Sequence, residues 1–250
     1  MTEKTYIFAD TPVRMAMAYE RTVHFCSGYE ADEERLKELT DEEIFVSVTD
    51  EEIDSEIVIG KEYGNHFTRG GAENIALYRK LCEKLIDRGI FLFHCSSIEV
   101  DGCAYVFGAP SGTGKSTHVR LWKERFGDRA TVINDDKPLM RLSEDGVYVY
   151  GMPWCGKHGL NTNKRSPIKA LCFLEQGTTN EIHRLTPLES YLLIHRQIYL
   201  PKDRELKIKS LKMAKQFAER IPAYHLSCDI SQAAVDASYG AMSGSAKDAE

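Results

Sequence analysis

A glycine-rich segment near the middle of the chain carries residue types that bind phosphate. Residues 109–116 read APSGTGKS and fit the pattern GxxxxGK[ST], except that alanine stands at the first glycine position. Glycines let backbone N–H groups converge on phosphate oxygens, Lys115 can reach the β- and γ-phosphates, and the Ser116 hydroxyl can ligate Mg²⁺. The alternative is an ordinary glycine-rich turn. An apolar run before the segment and a helix-like run after it favour a phosphate loop. The residues predicted to contact a nucleotide are Ser111, Gly112, Thr113, Gly114, Lys115, Ser116 and Thr117.

Two adjacent carboxylates follow this segment. Asp135 and Asp136 end the run ATVINDD, whose β-branched residues predict a strand. Enzymes that transfer a phosphoryl group use carboxylates to hold a metal ion and to orient or deprotonate the acceptor hydroxyl. A parallel strand beside the strand that leads into the glycine-rich segment would bring both carboxylates to the nucleotide. The alternative is a polar turn, because Asn-Asp-Asp often starts one.

A basic segment, residues 151–166, is a candidate lid. It contains two lysines, a histidine and an arginine, and no acid. Such a loop can close over phosphates and stabilise the charge of a transition state, so we predict catalytic roles for Lys157 and Arg165. The alternative is a solvated surface loop. Arg196 is a further candidate phosphate ligand.

The order of these motifs resembles a known family. His94 begins HCSS, a DG turn and a strand ending in FG follow, and then come SGTGKST and the strand ending in DD. This order is similar to the nucleotide site of ATP-dependent phosphoenolpyruvate carboxykinases. With looser motifs it is also similar to the core of the HPr kinase/phosphorylase group and its small relatives. The resemblance covers about residues 90–175.

The resemblance implies a nucleotide-binding core that uses ATP with Mg²⁺ or Mn²⁺. It implies that His94 and Asp136 lie at the metal site with Ser116, and that Lys115 contacts phosphate. In the kinase branch, Asp135 is the candidate base for the acceptor hydroxyl. We therefore expect an ATP-dependent kinase that transfers the γ-phosphoryl group to a hydroxyl, such as that of serine, on a protein, peptide or small molecule. Two alternatives stay open: a regulator that binds nucleotide without turnover, and a carboxykinase-like lyase.

The elements around the motifs predict an α/β fold. We expect a mixed β-sheet P-loop core flanked by helices over residues 71–250, and a smaller N-terminal α+β segment over residues 1–70 whose role the sequence leaves open. Strand-like runs alternate with loops up to residue 175, and the last third is mainly helical with a frayed tail. The predicted strands are 44–48, 56–60, 90–100, 103–108, 130–136, 147–151 and 168–175, and the tail is 243–250.

Composition excludes several classes of protein. The net charge of −6 argues against a general nucleic-acid binder, which needs a dominant cationic face. No apolar run reaches the length of a membrane span. Seven cysteines without a CxxC pair fit a reducing compartment, so we expect a cytoplasmic protein. Thirteen acids and two bases lie between Glu30 and Glu56, which predicts a solvated acidic face outside the motif core. A homo-oligomer is compatible with the sequence.

Overall fold

Two units of structure are built from this chain, Met1–Leu85 and the part from Ile86 onward. The computed structural model describes residues 1–244, so most of the tail expected to fray lies outside the described residues. The boundary at Leu85 differs from the division at residue 70 that the sequence favours. The intervening helix belongs with the first unit because it packs on the helix before it, with Arg79 Nε 2.6 Å from Glu56 Oε1.

The first unit is a three-stranded sheet with four helices. Strands β1 and β2 form an antiparallel hairpin, and β3 pairs in parallel with β2. Its elements are β1 (Thr2–Phe8), β2 (Thr11–Met17), α1 (Glu20–Phe25), α2 (Glu33–Glu38), β3 (Ile44–Val46), α3 (Asp50–Glu62) and α4 (Arg69–Leu85). Residues 56–60 lie in α3 and not in a strand. The Thr49–Glu52 capping box and the buried Glu56 stabilise the helix and outweigh the strand propensity of Ile57, Val58 and Ile59.

Bases of the same unit contact the acidic stretch. Arg69 binds Asp50 and Asp54, and Lys80 Nζ lies 2.8 Å from Glu52 Oε1. The stretch is therefore partly neutralised within its own unit, and it supplies α2, β3 and about half of α3 in addition to a solvated face.

The second unit is a curled mixed sheet with helices, which agrees with the expected α/β class. The strand order is β4-β8-β9-β10-β6-β5-β7, with β12 also paired to β10 and β11 paired to β12. The sheet curls because the long strand β10 pairs with β9 at its start and with β6 and β12 further along. The strands are β4 (Ile90–Leu92), β5 (Cys95–Val100), β6 (Cys103–Gly108), β7 (Ala130–Asn134), β8 (Leu139–Leu142), β9 (Val147–Tyr150), β10 (Arg165–Gln176), β11 (Glu181–Arg184) and β12 (Ala223–Cys228).

Four helices cover this sheet, and two apolar clusters hold them. They are α5 (Lys115–Phe126), α6 (Pro187–Ile194), α7 (Arg204–Arg220) and α8 (Gln232–Met242). One cluster joins Phe217 of α7 to Phe91 and Phe93, and the other joins Trp122 of α5 to Tyr105 and Tyr239. Within residues 1–244, no helix is both long and apolar enough to cross a membrane.

The run at residues 90–100 is two strands and not one. β4 pairs with β8, whereas β5 lies between β6 and β7. Phe93 and His94 lie in the break between the two strands. The sequence does not reveal the break, because the residues on both sides of it are buried and form one continuous apolar run. The break places His94 at an end of β5.

Candidate active site

Several strand ends meet at one edge of the second unit's sheet. β6 and β10 run parallel, and β5 runs antiparallel to both β6 and β7. The register pairs Cys95 with Gly108, Gly108 with Phe173, and Ser97 with Asn134. The last residues of β6 and β7 therefore lie beside the first residues of β5. The sequence predicts β7 directly beside β6. In the structure β5 lies between them, because it pairs with β6 along one edge and with β7 along the other.

The glycine-rich loop, residues 109–114, leaves this edge and leads into α5. Gly112 has φ +82° and Gly114 has φ +114°, a left-handed region that favours glycine. A Cβ at either position would meet no atom within 4 Å, so the backbone conformation and not space requires glycine. Gly114 is the N-cap of α5 and supplies no side-chain cap. The first N–H groups of the helix thus lack a side-chain acceptor and suit an anion. Of the other predicted nucleotide contacts, Ser111 is exposed, while Thr113, Ser116 and Thr117 are half-buried.

Lys115 is folded back onto this loop. Its side chain is buried, and Nζ donates to the carbonyl of Ala109 at 2.8 Å. Burial lowers the pKa of Lys115, while Cys95, Asp136 and Asp135 act to raise it. Lys115 therefore lies within electrostatic reach of both carboxylates.

Asp135 is buried and only half satisfied. Its Oδ1 accepts a hydrogen bond from Ser96 Oγ at 2.8 Å, and Ser96 is fully buried on β5. Its Oδ2 is buried without a hydrogen-bond partner among the described residues. A buried oxygen without a partner costs roughly 1–3 kcal/mol, and more for a charged group, so such an atom indicates a place for a ligand.

Asp136 lies against His94. His94 Nε2 is 3.0 Å from Asp136 Oδ1, and Lys137 Nζ is 2.9 Å from Oδ2. Burial raises the pKa of Asp136, but the contacts with His94 and Lys137 outweigh burial and lower it to about 2. His94 Nδ1 lies 3.3 Å from Gln197 Oε1, which ties the segment after α6 to the site.

Among the described residues, no group of three or more His, Cys, Asp or Glu side chains could hold a metal ion. Mg²⁺ rarely needs such a cage, since one or two carboxylates, waters and phosphate oxygens complete its octahedron. Asp136 and the unpartnered oxygen of Asp135 supply carboxylates of this kind, so the residues fit a hydrated Mg²⁺ bound together with phosphates.

Asn134 is a site residue that the sequence analysis misses. It is fully buried, its Nδ2 donates to the carbonyl of Met152 at 2.9 Å, and its Oδ1 accepts from the N–H groups of Asp136 and Lys137 at 3.0 and 2.9 Å. It holds the turn that carries the carboxylates and fastens the segment after β9 to it. The Asn-Asp-Asp turn signal points to this role, because asparagine often bonds the backbone two residues on.

The basic segment is divided between the two ends of the sheet. A Cβ on Gly156 would lie 3.5 Å from the Asp136 Cβ, so the neighbouring, exposed Lys157 is near the carboxylates. Arg165 begins β10, whereas Phe173 on the same strand reaches the edge with Gly108. The structure therefore does not bring Arg165 to the site. Its guanidinium lies 4.4 Å from the centre of the Tyr148 ring.

Two cavities flank the glycine-rich loop. The first cavity has a volume of about 650 Å³ and the second about 550 Å³. Arg196 and Gln197 line the first, and Thr117 and His118 of α5 line the second. The first cavity is further bounded by residues 109–113 and 173–176, Leu193 and His225, and the second by residues 112–114, 176–177 and 228–230, Leu121 and Leu174.

Comparison with known proteins gives a family and a distant structural likeness. The family model described as SynChlorMet cassette protein ScmC matches residues 75–234. No curated protein matches the chain. Among solved structures, the Hpr(Ser) kinase/phosphatase from Coxiella burnetii aligns over 62% of this chain and 94% of that chain, with 8% identity and a TM-score of 0.35. A likeness at this level does not identify a function.

Proposed function

We propose that this chain, which belongs to the ScmC family, is an ATP-dependent phosphotransferase that moves the γ-phosphoryl group to a hydroxyl. In this proposal the glycine-rich loop holds the phosphates, Lys115 binds the transferring group, and Asp135 accepts the proton of the hydroxyl. Asp136 and Ser116 hold Mg²⁺ or Mn²⁺, and His94 orients Asp136.

The observation that carries the proposal is the unpartnered Oδ2 of Asp135. Ser96 donates a hydrogen bond to one oxygen of this carboxylate, and the other oxygen is buried without a hydrogen-bond partner among the described residues. A general base needs this arrangement, since its orientation is set while one oxygen stays available for a proton. A protein that only binds nucleotide could use such an atom as a metal ligand, so the test below separates the two roles by phosphoryl transfer.

Charge balance supports a phosphate ligand at Lys115. Its ammonium group donates to the carbonyls of Ala109 and Pro110, and burial disfavours its charge. A bound triphosphate offers anionic acceptors, which add the attraction between opposite charges to the hydrogen bonds of the ammonium group. The amides of residues 111–117 then meet the remaining phosphate oxygens.

Mg²⁺, when bound, neutralises charge on the phosphates. This chain's share of that site is Asp136, whose ionised form is favoured by His94 and Lys137, and the Ser116 hydroxyl at the start of α5. In this proposal Asp136, whose charge His94 and Lys137 favour, holds the metal, and Asp135 takes the proton.

In the proposed reaction, each bond that forms is matched by a bond that breaks. The acceptor hydroxyl gives its proton to Asp135 as its oxygen bonds to the γ-phosphorus, and the bond from that phosphorus to the bridging oxygen breaks. ADP leaves with the electron pair, and the products are ADP and a phosphate monoester. Lys115, and Lys157 from the basic segment, stabilise the charge on the transferring group.

Mass spectrometry of a cell extract tests this function. After incubation with ATP, Mg²⁺ and the wild-type protein, we expect a species that has gained one phosphate, and no such species with Lys115→Ala. If ATP binds but no species gains phosphate with any divalent metal, the protein is a nucleotide-binding regulator and the proposal fails. Consumption of phosphoenolpyruvate or oxaloacetate with nucleotide would identify a lyase instead.

A further inference from the structure

One residue that lines the first cavity, Gln197, contacts the histidine beside the carboxylates. The backbone carbonyl of Gln197, a residue that lines the cavity, accepts a hydrogen bond from the His94 N–H at 2.8 Å. Its side-chain Oε1 lies 3.3 Å from His94 Nδ1. His94 in turn contacts Asp136 at 3.0 Å. The second cavity follows the first turns of α5 through Thr117 and His118. A nucleotide whose γ-phosphate points to the carboxylates directs its nucleoside away from them, so the first cavity is left for the acceptor.

The exposed side chain of Arg196 lines the first cavity. Among residues 1–244 the Arg196 side chain makes no hydrogen bond or ion pair. The acid that lines the cavity, Glu175, has its Oε2 atom 3.3 Å from His225 Nε2. A planar guanidinium without a partner at the wall of a cavity suits a carboxylate, which it can bind through two parallel hydrogen bonds.

The size and lining of the cavity suit a small molecule. Sites for small ligands have volumes of about 300–1,000 Å³, with apolar walls and a few polar groups that orient the ligand. The volume of about 650 Å³ falls in this range, and Phe173 and Leu193 give apolar walls.

From these features we infer that the first cavity binds the acceptor, and that the acceptor is a small hydroxy acid whose carboxylate pairs with Arg196. This inference rests on the proposed phosphotransferase function. The hydroxyl of the acid gives its proton to Asp135 and takes the γ-phosphoryl group from ATP, which yields ADP and a phosphorylated hydroxy acid. Arg196 fixes the carboxylate and so determines specificity.

A panel of acids with matched amides tests the inference. Glycerate, lactate and 3-hydroxybutyrate, each beside its neutral amide, are offered to the full-length protein with γ-labelled ATP and Mg²⁺. We expect transfer to at least one acid with kcat/KM roughly 10- to 100-fold above that of its amide, the loss typical of an unpaired charged hydrogen bond. Arg196→Gln should remove this difference, while Arg184→Gln, an exposed arginine on β11, should retain it.

Binding gives a second readout that does not depend on turnover. Calorimetry should show that the preferred acid binds to protein saturated with a non-hydrolysable ATP analogue, and that Arg196→Gln weakens this binding roughly 10- to 100-fold. The inference is overturned if acids and amides react equally, if no acid of the panel reacts or binds, or if Arg196→Gln weakens ATP binding as Lys115→Ala does. Failure of the wild-type protein to bind ATP is a different result, since it removes the proposed function itself.

Discussion

At the scale of single residues, two neighbouring aspartates have different surroundings. Asp136 contacts His94 and Lys137, which keep it ionised, whereas Asp135 has one oxygen on Ser96 and one without a partner among the described residues. Both aspartates lie in the bend after β7, where Asn134 Oδ1 accepts from the N–H groups of Asp136 and Lys137. The proposal assigns the two roles from these partners.

Asp135→Asn should therefore separate catalysis from binding. Asparagine keeps the shape and can still accept from Ser96 Oγ, but it cannot take a proton. Loss of a general base lowers transfer about 100- to 10,000-fold, while the Kd for ATP should stay within roughly twofold of wild type. Single-turnover kinetics and calorimetry measure the two quantities. A parallel rise in Kd would make Asp135 a metal ligand instead. The exposed Asp128→Asn is the control.

At the scale of elements, the site depends on how β5, β6 and β7 meet. The sequence predicts the strand before the glycine-rich loop, the helix after it and the strand that ends in Asp135, because each carries a local pattern. It does not predict that β5 lies between β6 and β7, which depends on long-range pairing. The sequence also predicts that Arg165 acts in the site. This prediction fails because the sequence does not show that Arg165 begins β10, at the end of the strand away from the site. The sequence likewise predicts a strand at residues 56–60, where the structure has a helix. The helix cap and the ion pair outweigh the strand propensity of the β-branched side chains.

Asn134→Ala should loosen the turn at the end of β7. The change leaves the Met152 carbonyl and the N–H groups of Asp136 and Lys137 without their partner. We expect the free energy of unfolding to fall by about 2–4 kcal/mol, and transfer to fall more than ATP affinity. Urea unfolding followed by tryptophan fluorescence measures the first effect. Thr131→Ala, on the same strand, should change stability much less, and equal losses would refute the role of Asn134.

The helix after the glycine-rich loop should make stability depend on pH. His118 of α5 is buried, its Nε2 lies 3.1 Å from Ser238 Oγ of α8, and burial lowers its pKa to about 4 from 6.5. The unfolded chain takes up this proton first, so this contribution is complete above pH 6.5 and is lost as pH falls toward 4. From pH 7 to 5 the expected loss is about 2 kcal/mol.

His118→Gln should flatten that decline by the same amount, as measured by urea unfolding at a series of pH values. His195→Gln, an exposed histidine, should leave it unchanged. An identical decline in wild type and His118→Gln would show that another group is responsible.

At the scale of the whole molecule, every residue assigned to the site lies in the unit that begins at Ile86. That unit has its own apolar clusters, and the acidic stretch belongs to the other unit. The acidic stretch is therefore structural in part, and removing residues 30–56 would remove α2, β3 and about half of α3.

A chain that starts at Ile86 should fold and bind ATP with a Kd within about threefold of the full protein, because a unit with its own core can fold alone. Circular dichroism and calorimetry test this. A folded fragment that no longer binds ATP would mean that residues 1–85 complete the nucleotide site.

The central claim is that the group transferred is the terminal phosphate of ATP and that Asp135 and Lys115 act on it. Parallel incubations with ATP labelled at the γ- or the α-phosphate, with the acceptor fraction and Mg²⁺, test this most directly. We expect that only γ-label reaches the acceptor, that Asp135→Asn lowers this transfer at least 100-fold, and that Lys115→Ala abolishes it. Transfer of α-label, or undiminished γ-transfer by Lys115→Ala, would contradict it.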